Sequence, residues 1–368
     1  MKKKKSLKII AAVLAVVLVV GGIIAYSMLP HPLNYKIKAI ESVGSEVEVV
    51  AEGEDFVSVK KTSDGEFKVL MFTDIHLDGK NKTSNITVEN LVRNIQSEKP
   101  DLVILGGDNV TSGLNKKRAN QLAEIFEKLG VYWAGILGNH EGDNNLSVSR
   151  EKMIDIFASY DHCLMRQGKN DVDGNGNYVL NILNPDSSIR KSFFFLDTMD
   201  EMTDVQKETY GLSVDEDYYD GVKESQVKWY SDTVEKMKKE SGNFSSIAVL
   251  HIPLVQYKTA FEDGAELLYG AKRENICASG FDSGLFAAIK KSGSTDTVFC
   301  GHDHLNNFGL VYDGILLSYI QPSGYGSYTA ASKLGYEEKD WLQGYTKLIL
   351  NKDGTFSQEQ FRNSETNK

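Results

Sequence analysis

Cysteine is scarce in this 368-residue chain: Cys163, Cys277 and Cys300 are widely spaced and odd in number. They form no CxxC pair and no even set, which argues against a disulfide framework and against a thiolate zinc site. Basic charge is short as well. Lys and Arg number 41 against 51 Asp and Glu, a net −10, and five lysines fall in the first thirty residues, leaving 36 against 51, or −15, for the rest. Phosphate backbones need a basic footprint, so no nucleic-acid partner is expected. Internal repeats are missing, and the N-terminal lysines are the only low-complexity tract. What remains is a globular composition, 41% hydrophobic and 25% charged, long enough for one α/β enzyme domain or two smaller domains.

The long hydrophobic run lies at the start. Ile9 to Leu29 is 21 residues without a charge, about 30 Å as a helix and enough for one bilayer crossing. It is uniformly apolar rather than amphipathic, which separates it from a surface or core helix. Lys2, Lys3, Lys4, Lys5 and Lys8 hold the N-terminus on the cytoplasmic side. The expectation is a cytoplasmic basic flank at 1–8, a transmembrane signal anchor at 9–29, and everything beyond it extracytoplasmic at the cell membrane. Ala25-Tyr26-Ser27 offers a small-x-small cleavage site, so secretion after cleavage is the alternative; the run exceeds the roughly 7–15 residues usual for a cleaved signal, which favours the anchor.

Residues 30–66 read as a juxtamembrane stretch and a β-rich lead-in, with strands at Ser45–Val50 and Asp55–Lys60 and a turn at Ser63-Asp64-Gly65. From 67 to 368 short apolar runs alternate with helical spacing. KVLMF precedes Val88/Leu91/Val92/Ile95, and DLVILG precedes Leu122/Ile125/Phe126/Leu129 and then VYWAGIL. That is the rhythm of β-α-β units. Further strands are predicted at Ser192–Leu196, Ser246–Leu250, Thr297–Cys300 and Ile315–Ile320, a helix around Glu224–Lys239, and a closing hairpin across Asn351–Gly354.

Five of the apolar runs end in residues of metal-ligand type: Asp74-Ile-His76, Gly107-Asp108, Gly138-Asn139-His140-Glu141, His251, and Gly301-His302-Asp-His304. Loops beyond the carboxyl ends of strands converge on one crevice in an α/β sheet, so clusters spread along the chain can meet. Of seven histidines, five stand at such positions, with His31 and His162 outside. Each fragment alone has an ordinary reading: a chance Asp-x-His, a Gly-Asp turn, a hydrogen-bonded core histidine. Five in series after strands do not. Carboxylate, amide and imidazole donors without thiolate suit Mn, Fe or Zn in a catalytic site.

The set Asp74-x-His76, Gly107-Asp108, Gly138-Asn139-His140-Glu141, His251 and Gly301-His302-x-His304 resembles the signature of the calcineurin-like metallophosphoesterases, and FKVLMFTDIH, VYWAGILGNHE, VLHIPL and CGHDHLNNFG most resemble their purple-acid-phosphatase-like branch. The resemblance implies an α/β fold, a four-layer α/β/β/α sandwich, and a dinuclear centre of two divalent ions. Asp74, His76, Asp108 and His304 would hold the first metal; Asp108, Asn139, His251 and His302 would hold the second, with Asp108 bridging. It also implies a phosphate-ester substrate, with a metal-activated water as nucleophile. One departure is plain: Thr111 stands where purple acid phosphatases carry a ferric-binding Tyr, and His76 adds an imidazole that they lack.

His140 has no metal role in that scheme and is the candidate general acid for the leaving group, oriented by Glu141 or Asp78. Lys272, Arg273, Tyr325 and Tyr328 could line the substrate pocket, although Lys272-Arg273 reads most simply as a solvated pair. Monoesters, diesters and pyrophosphates all stay open as substrates. The alternative class is a non-catalytic, metal-bound protein of the envelope whose surface binds a polymer or partner.

Overall fold

The computed structural model describes residues 16–22, 40–78, 81–111, 113, 115–142, 147–337 and 341–366. Fourteen strands run in chain order: β1 (Val47–Glu52), β2 (Phe56–Lys61), β3 (Phe67–Phe72), β4 (Leu102–Gly106), β5 (Tyr132–Ile136), β6 (Tyr178–Leu183), β7 (Ile189–Phe195), β8 (Ser246–Val249), β9 (Leu267–Tyr269), β10 (Thr295–Cys300), β11 (Gly309–Tyr312), β12 (Ile315–Tyr319), β13 (Gly344–Leu350) and β14 (Phe356–Arg362). They make two sheets. One has five strands in the order β14-β13-β3-β4-β5, and the other has nine in the order β1-β2-β6-β7-β8-β10-β12-β11-β9.

Both sheets are mixed. In the smaller, β3, β4 and β5 are parallel, β13 runs against β3, and β14 returns antiparallel to β13; in the larger, β7, β8, β10 and β12 form the parallel centre. Successive side chains on a strand face opposite ways, and the larger sheet buries both faces. Phe193 and Phe195 join the cluster that also holds Val69, Ile104 and Leu348 of the smaller sheet, whereas Phe194 between them packs with Trp229 and Tyr230. Ile247/Val249 and Ala248/Leu250 divide in the same way. The helix Glu224–Ser241 and the helix Leu285–Ser292 cover the outer face of the larger sheet. The helices Asn81–Glu98 and Asn115–Leu129 send Val88, Leu91, Val92, Ile95 and Leu122, Ile125, Phe126, Leu129 into the cluster of the smaller sheet, at the spacing seen in the sequence. The layering is α/β/β/α. Tyr178 on β6 crosses between the sheets, its hydroxyl exchanging hydrogen bonds of 3.0 Å with the Gly135 amide and carbonyl on β5.

The lead-in is part of this core. β2 pairs in parallel with β6 along Phe56↔Val179 to Lys60↔Leu183, and Val57 and Val59 are fully buried, so no packing boundary falls at residue 66. β6, β9 and β11 are strands that the sequence reading did not mark. Of the run at 9–29, only residues 16–22 are described, as a helix with its side chains exposed; the rest lies outside the described residues. Among the described residues no helix is long and apolar enough to cross a membrane.

Candidate metal centre

The ligand-type residues converge on one edge, where parallel strands of both sheets end. From the smaller sheet come Asp74 and His76 after β3, Asp108 after β4 and Asn139 after β5; from the larger come His251 after β8 and His302 and His304 after β10. Asp74, His76, Asp108 and His304 each offer an atom, all within 4.8 Å of one another, and Asp108, His251 and His302 form a second such group. Asp108 belongs to both.

Local backbone explains how short loops aim so many side chains. Asp74, His76, Asp108 and His302 hold φ of 53°, 46°, 51° and 76°, the left-handed region that non-glycine residues rarely adopt. Such conformations cost about 1–3 kcal/mol each and persist where the surroundings impose them. The glycines permit close approach. A Cβ on Gly138 would lie 2.1 Å from Asp108 Oδ1, and one on Gly107, at φ 95°, 2.5 Å from His251 Nδ1.

Orientation is set from outside. His251 Nδ1–H donates to the Gly106 carbonyl at 2.8 Å and His304 Nδ1–H to the Tyr328 carbonyl at 3.1 Å, so both Nε2 atoms face inward. The His140 amide donates to Asp108 Oδ1 at 2.9 Å, leaving Oδ2 in the middle, 3.2 Å from His251 Nε2 and 3.5 Å from His76 Nε2. His76 Nε2 is 3.0 Å from His304 Nε2, and His304 Nε2 is 3.3 Å from Asp74 Oδ1.

Burial here opposes charge, yet His304 and His251 hold the Asp74 carboxyl down at about 2, and His251 and His76 hold Asp108 well below the usual range. The same burial pushes His76 and His302 down to about 3. His251 and His304 go the other way against burial: Asp108 lifts His251 to about 10, and Asp74 raises His304.

Two buried atoms, Asn139 Oδ1 and His251 Nε2, have no hydrogen-bond partner. Leaving such atoms unpaired is costly, and both are metal-donor atoms facing a site of two carboxylates, one amide and four imidazoles. The residues fit two divalent cations of the Mn, Fe or Zn kind.

His140 sits at the mouth, its side chain 41% exposed, with Nε2 4.0 Å from Asp108 Oδ2. Glu141 does not share that position. Its carboxylate accepts from the amides of Asn109, Val110 and Gly138, lacing the β4 and β5 loops together, and burial with Asp108 nearby pushes it up to about 7. Asp78 accepts from the Ser84 hydroxyl at 3.0 Å. His162 bonds Glu127 away from the cluster, and His31 lies outside the described residues.

Of the pocket candidates, Tyr328 reaches the site, stacked on His304. Arg273 bonds Asn307 behind the His302–His304 loop, Lys272 lies over the Phe261 ring, and the Tyr325 hydroxyl accepts from Asn363. One neighbour carried no sequence signal: Tyr219, in the acidic stretch after residue 199, sets its ring edge-on to His302 with centroids 4.3 Å apart.

The family model of the calcineurin-like phosphoesterases matches residues 67–306, the span holding all seven ligand candidates and His140, and the chain belongs to that family. Its relatives place it in the purple-acid-phosphatase-like branch. It is 31% identical over 300 residues, 72% of each chain, to an Arabidopsis thaliana protein named probable inactive purple acid phosphatase 14, and 28% identical over 312 residues, 75% of each, to the one numbered 29. It is also 27% identical over 281 residues to the phosphatase DCR2 of Saccharomyces cerevisiae, covering 68% of this chain and 46% of that one. Among solved structures, a dimetal phosphatase from Danio rerio superposes with a TM-score of 0.52 at 14% identity, over 80% of this chain and 95% of that one, a likeness of fold.

Proposed function

We propose that this chain is a metal-dependent phosphohydrolase with a dinuclear centre, acting on phosphate esters, foremost monoesters. The observation that carries the reading is the shared Asp108, whose Oδ2 stands between His251 and His76 at the junction of two ligand groups. Asp74, His76, Asp108 and His304 would hold one cation; Asp108, Asn139, His251 and His302 the other. Bound there, two divalent ions would lower the pKa of a water and neutralise the phosphate oxygens. The chain's own part is fixed orientation and proton supply. Asp108 and Asp74 are ionised at neutral pH, the Nδ1 hydrogen bonds of His251 and His304 fix their tautomers, and His140, exposed at the mouth, donates a proton to the departing oxygen.

Three of the Arabidopsis thaliana relatives are named as probable inactive, which favours the alternative of a non-catalytic metal-bound protein. Against it, all seven ligand positions and His140 are filled here, and a chain that had lost catalysis has no need of His140. Hydrolysis of an aryl phosphate by purified protein decides. Activity lost on chelation and restored by Mn, Fe or Zn supports the proposal, and metal-loaded protein inert towards mono- and diesters overturns it.

We further place the domain outside the cytoplasmic membrane, held by residues 9–29 with residues 1–8 inside, on the uncharged run and the lysines before it. Protease added to intact spheroplasts should cut the domain. Protection until lysis refutes this placement, and a mature N-terminus near Met28 shows secretion by cleavage instead.

A further inference from the structure

Asn139 is the one amide among the ligand candidates, and what aims it is anchored on the other sheet. Arg150, at the start of the helix Arg150–Ala158, is 16% exposed in its side chain. One guanidinium nitrogen donates to the carbonyl of Gly138, the residue immediately before Asn139. A second donates to Asp197 Oδ1, two residues beyond the end of β7. Asp197 is itself fixed. Its Oδ1 accepts from the Met199 amide at 3.0 Å, its Oδ2 from the Asn175 amide at 2.9 Å, and the neighbouring Thr198 hydroxyl accepts from the amide of Ile252, next to His251. Arg150 therefore spans the gap between the sheets, with one hand on the Asn139 loop and the other on an anchor that also touches the His251 loop.

Among the seven ligand candidates, Asn139 and His251 are the two with a buried side-chain atom that has no hydrogen-bond partner. Both belong to the second metal group, and both loops meet the Arg150–Asp197–Thr198 chain. The first group has its own orienting contact in Tyr328, whose carbonyl accepts from His304 Nδ1 at 3.1 Å. We propose that Arg150 is a positioning residue for the second metal: through Gly138 it sets the distance of Asn139 from His251 and so the affinity of that site alone. The inference rests on the two-metal reading and deepens it.

A fixed fork that binds a carbonyl and a carboxylate at once is peculiar to Arg; Lys can keep the charge but not both directions. Loss of an orienting contact outside the ligands costs about 10–100-fold in metal affinity. Removing Arg150 alone also leaves the Asp197 carboxylate buried and unpaired, which destabilises whatever happens at the metal. The test therefore uses Arg150→Met together with Asp197→Asn, which removes the charge imbalance, and Arg150→Lys, each as the full chain.

Calorimetric titration of chelator-stripped protein with Mn(II) or Zn(II) reads the two sites, and thermal unfolding without metal reads the fold. In the wild type, two equivalents should bind. In the double variant the second should weaken by about 10–100-fold while the first keeps its affinity and the metal-free melting temperature stays near wild type; Arg150→Lys should fall between. Equal affinity of the second equivalent in wild type and both variants overturns the positioning role. So does equal loss at both sites, which marks a general structural part. If the wild type itself takes up fewer than two equivalents, it is the dinuclear reading that fails, and this inference falls with it.

Discussion

The Tyr328 ring lies flat against the His304 imidazole, centroids 4.2 Å apart and planes within 7°, while the Tyr328 carbonyl takes the Nδ1 proton of the same histidine. One residue thus fixes both the tilt and the tautomer of a ligand. Its hydroxyl, 3.1 Å from Glu274 Oε1, ties the pair to the loop before it.

Replacing Tyr328 by Ala keeps the carbonyl but removes the stack and the hydroxyl. First-site metal affinity should fall about tenfold, the low end of the range for such outer contacts, with the second site unchanged. Competitive titration against a calibrated chelator measures both.

Asp108→Ala should remove both metals, because the two ligand groups share that carboxylate, whereas His251→Ala should mainly weaken the second. Elemental analysis after gel filtration distinguishes the outcomes, and two tightly held metals in the Asp108 variant would contradict the bridging assignment.

His140→Gln should keep Asn139 and both metals and lose roughly 10²–10⁴ in kcat on an alkyl phosphate. The loss on a nitrophenyl phosphate should be smaller, since that leaving group departs with little help. Equal losses on both substrates at unchanged metal content would assign His140 to phosphate binding instead.

Metal affinity should rise with pH. Asp108 lifts His251 to about 10, so at neutral pH this imidazole carries a proton that a cation must displace, and Asp74 shifts His304 in the same direction. Each displaced proton should steepen affinity by about tenfold per pH unit until the pH passes the histidine's own pKa. Titrations at pH 7 in buffers of different ionisation enthalpy should report proton release; identical heats in all of them would mean that the ligands are already neutral.

The parallel strands of the site and the helices between them were legible in the sequence because each is a local pattern, an apolar run or an i, i+3, i+4, i+7 spacing. The ligands were legible for the same reason, each standing directly after such a run. Longer-range structure was not. β6 carries Asn181 inside its apolar run and owes its place to β2, more than a hundred residues earlier, and β9 is a short strand at an exposed edge. Glu141 was expected beside His140 as a possible orienter, but three backbone amides claim it, and amides leave no mark in a sequence. Arg150, Asp197 and Tyr219 belong to no motif; they act at the site only because the sheets bring them there.

The ligands are divided between the sheets in chain order as well as in space: Asp74 through Asn139 come early, and His251 through His304 more than a hundred residues later. A growing chain therefore carries for much of its synthesis a half-built cup of two carboxylates, one imidazole and one amide, too poor in donors to discriminate among cations. Discrimination begins only when β10 docks and delivers the last two histidines together. Full coordination of either cation therefore waits on the docking of β10, the strand after which stand His304 of one ligand group and His302 of the other.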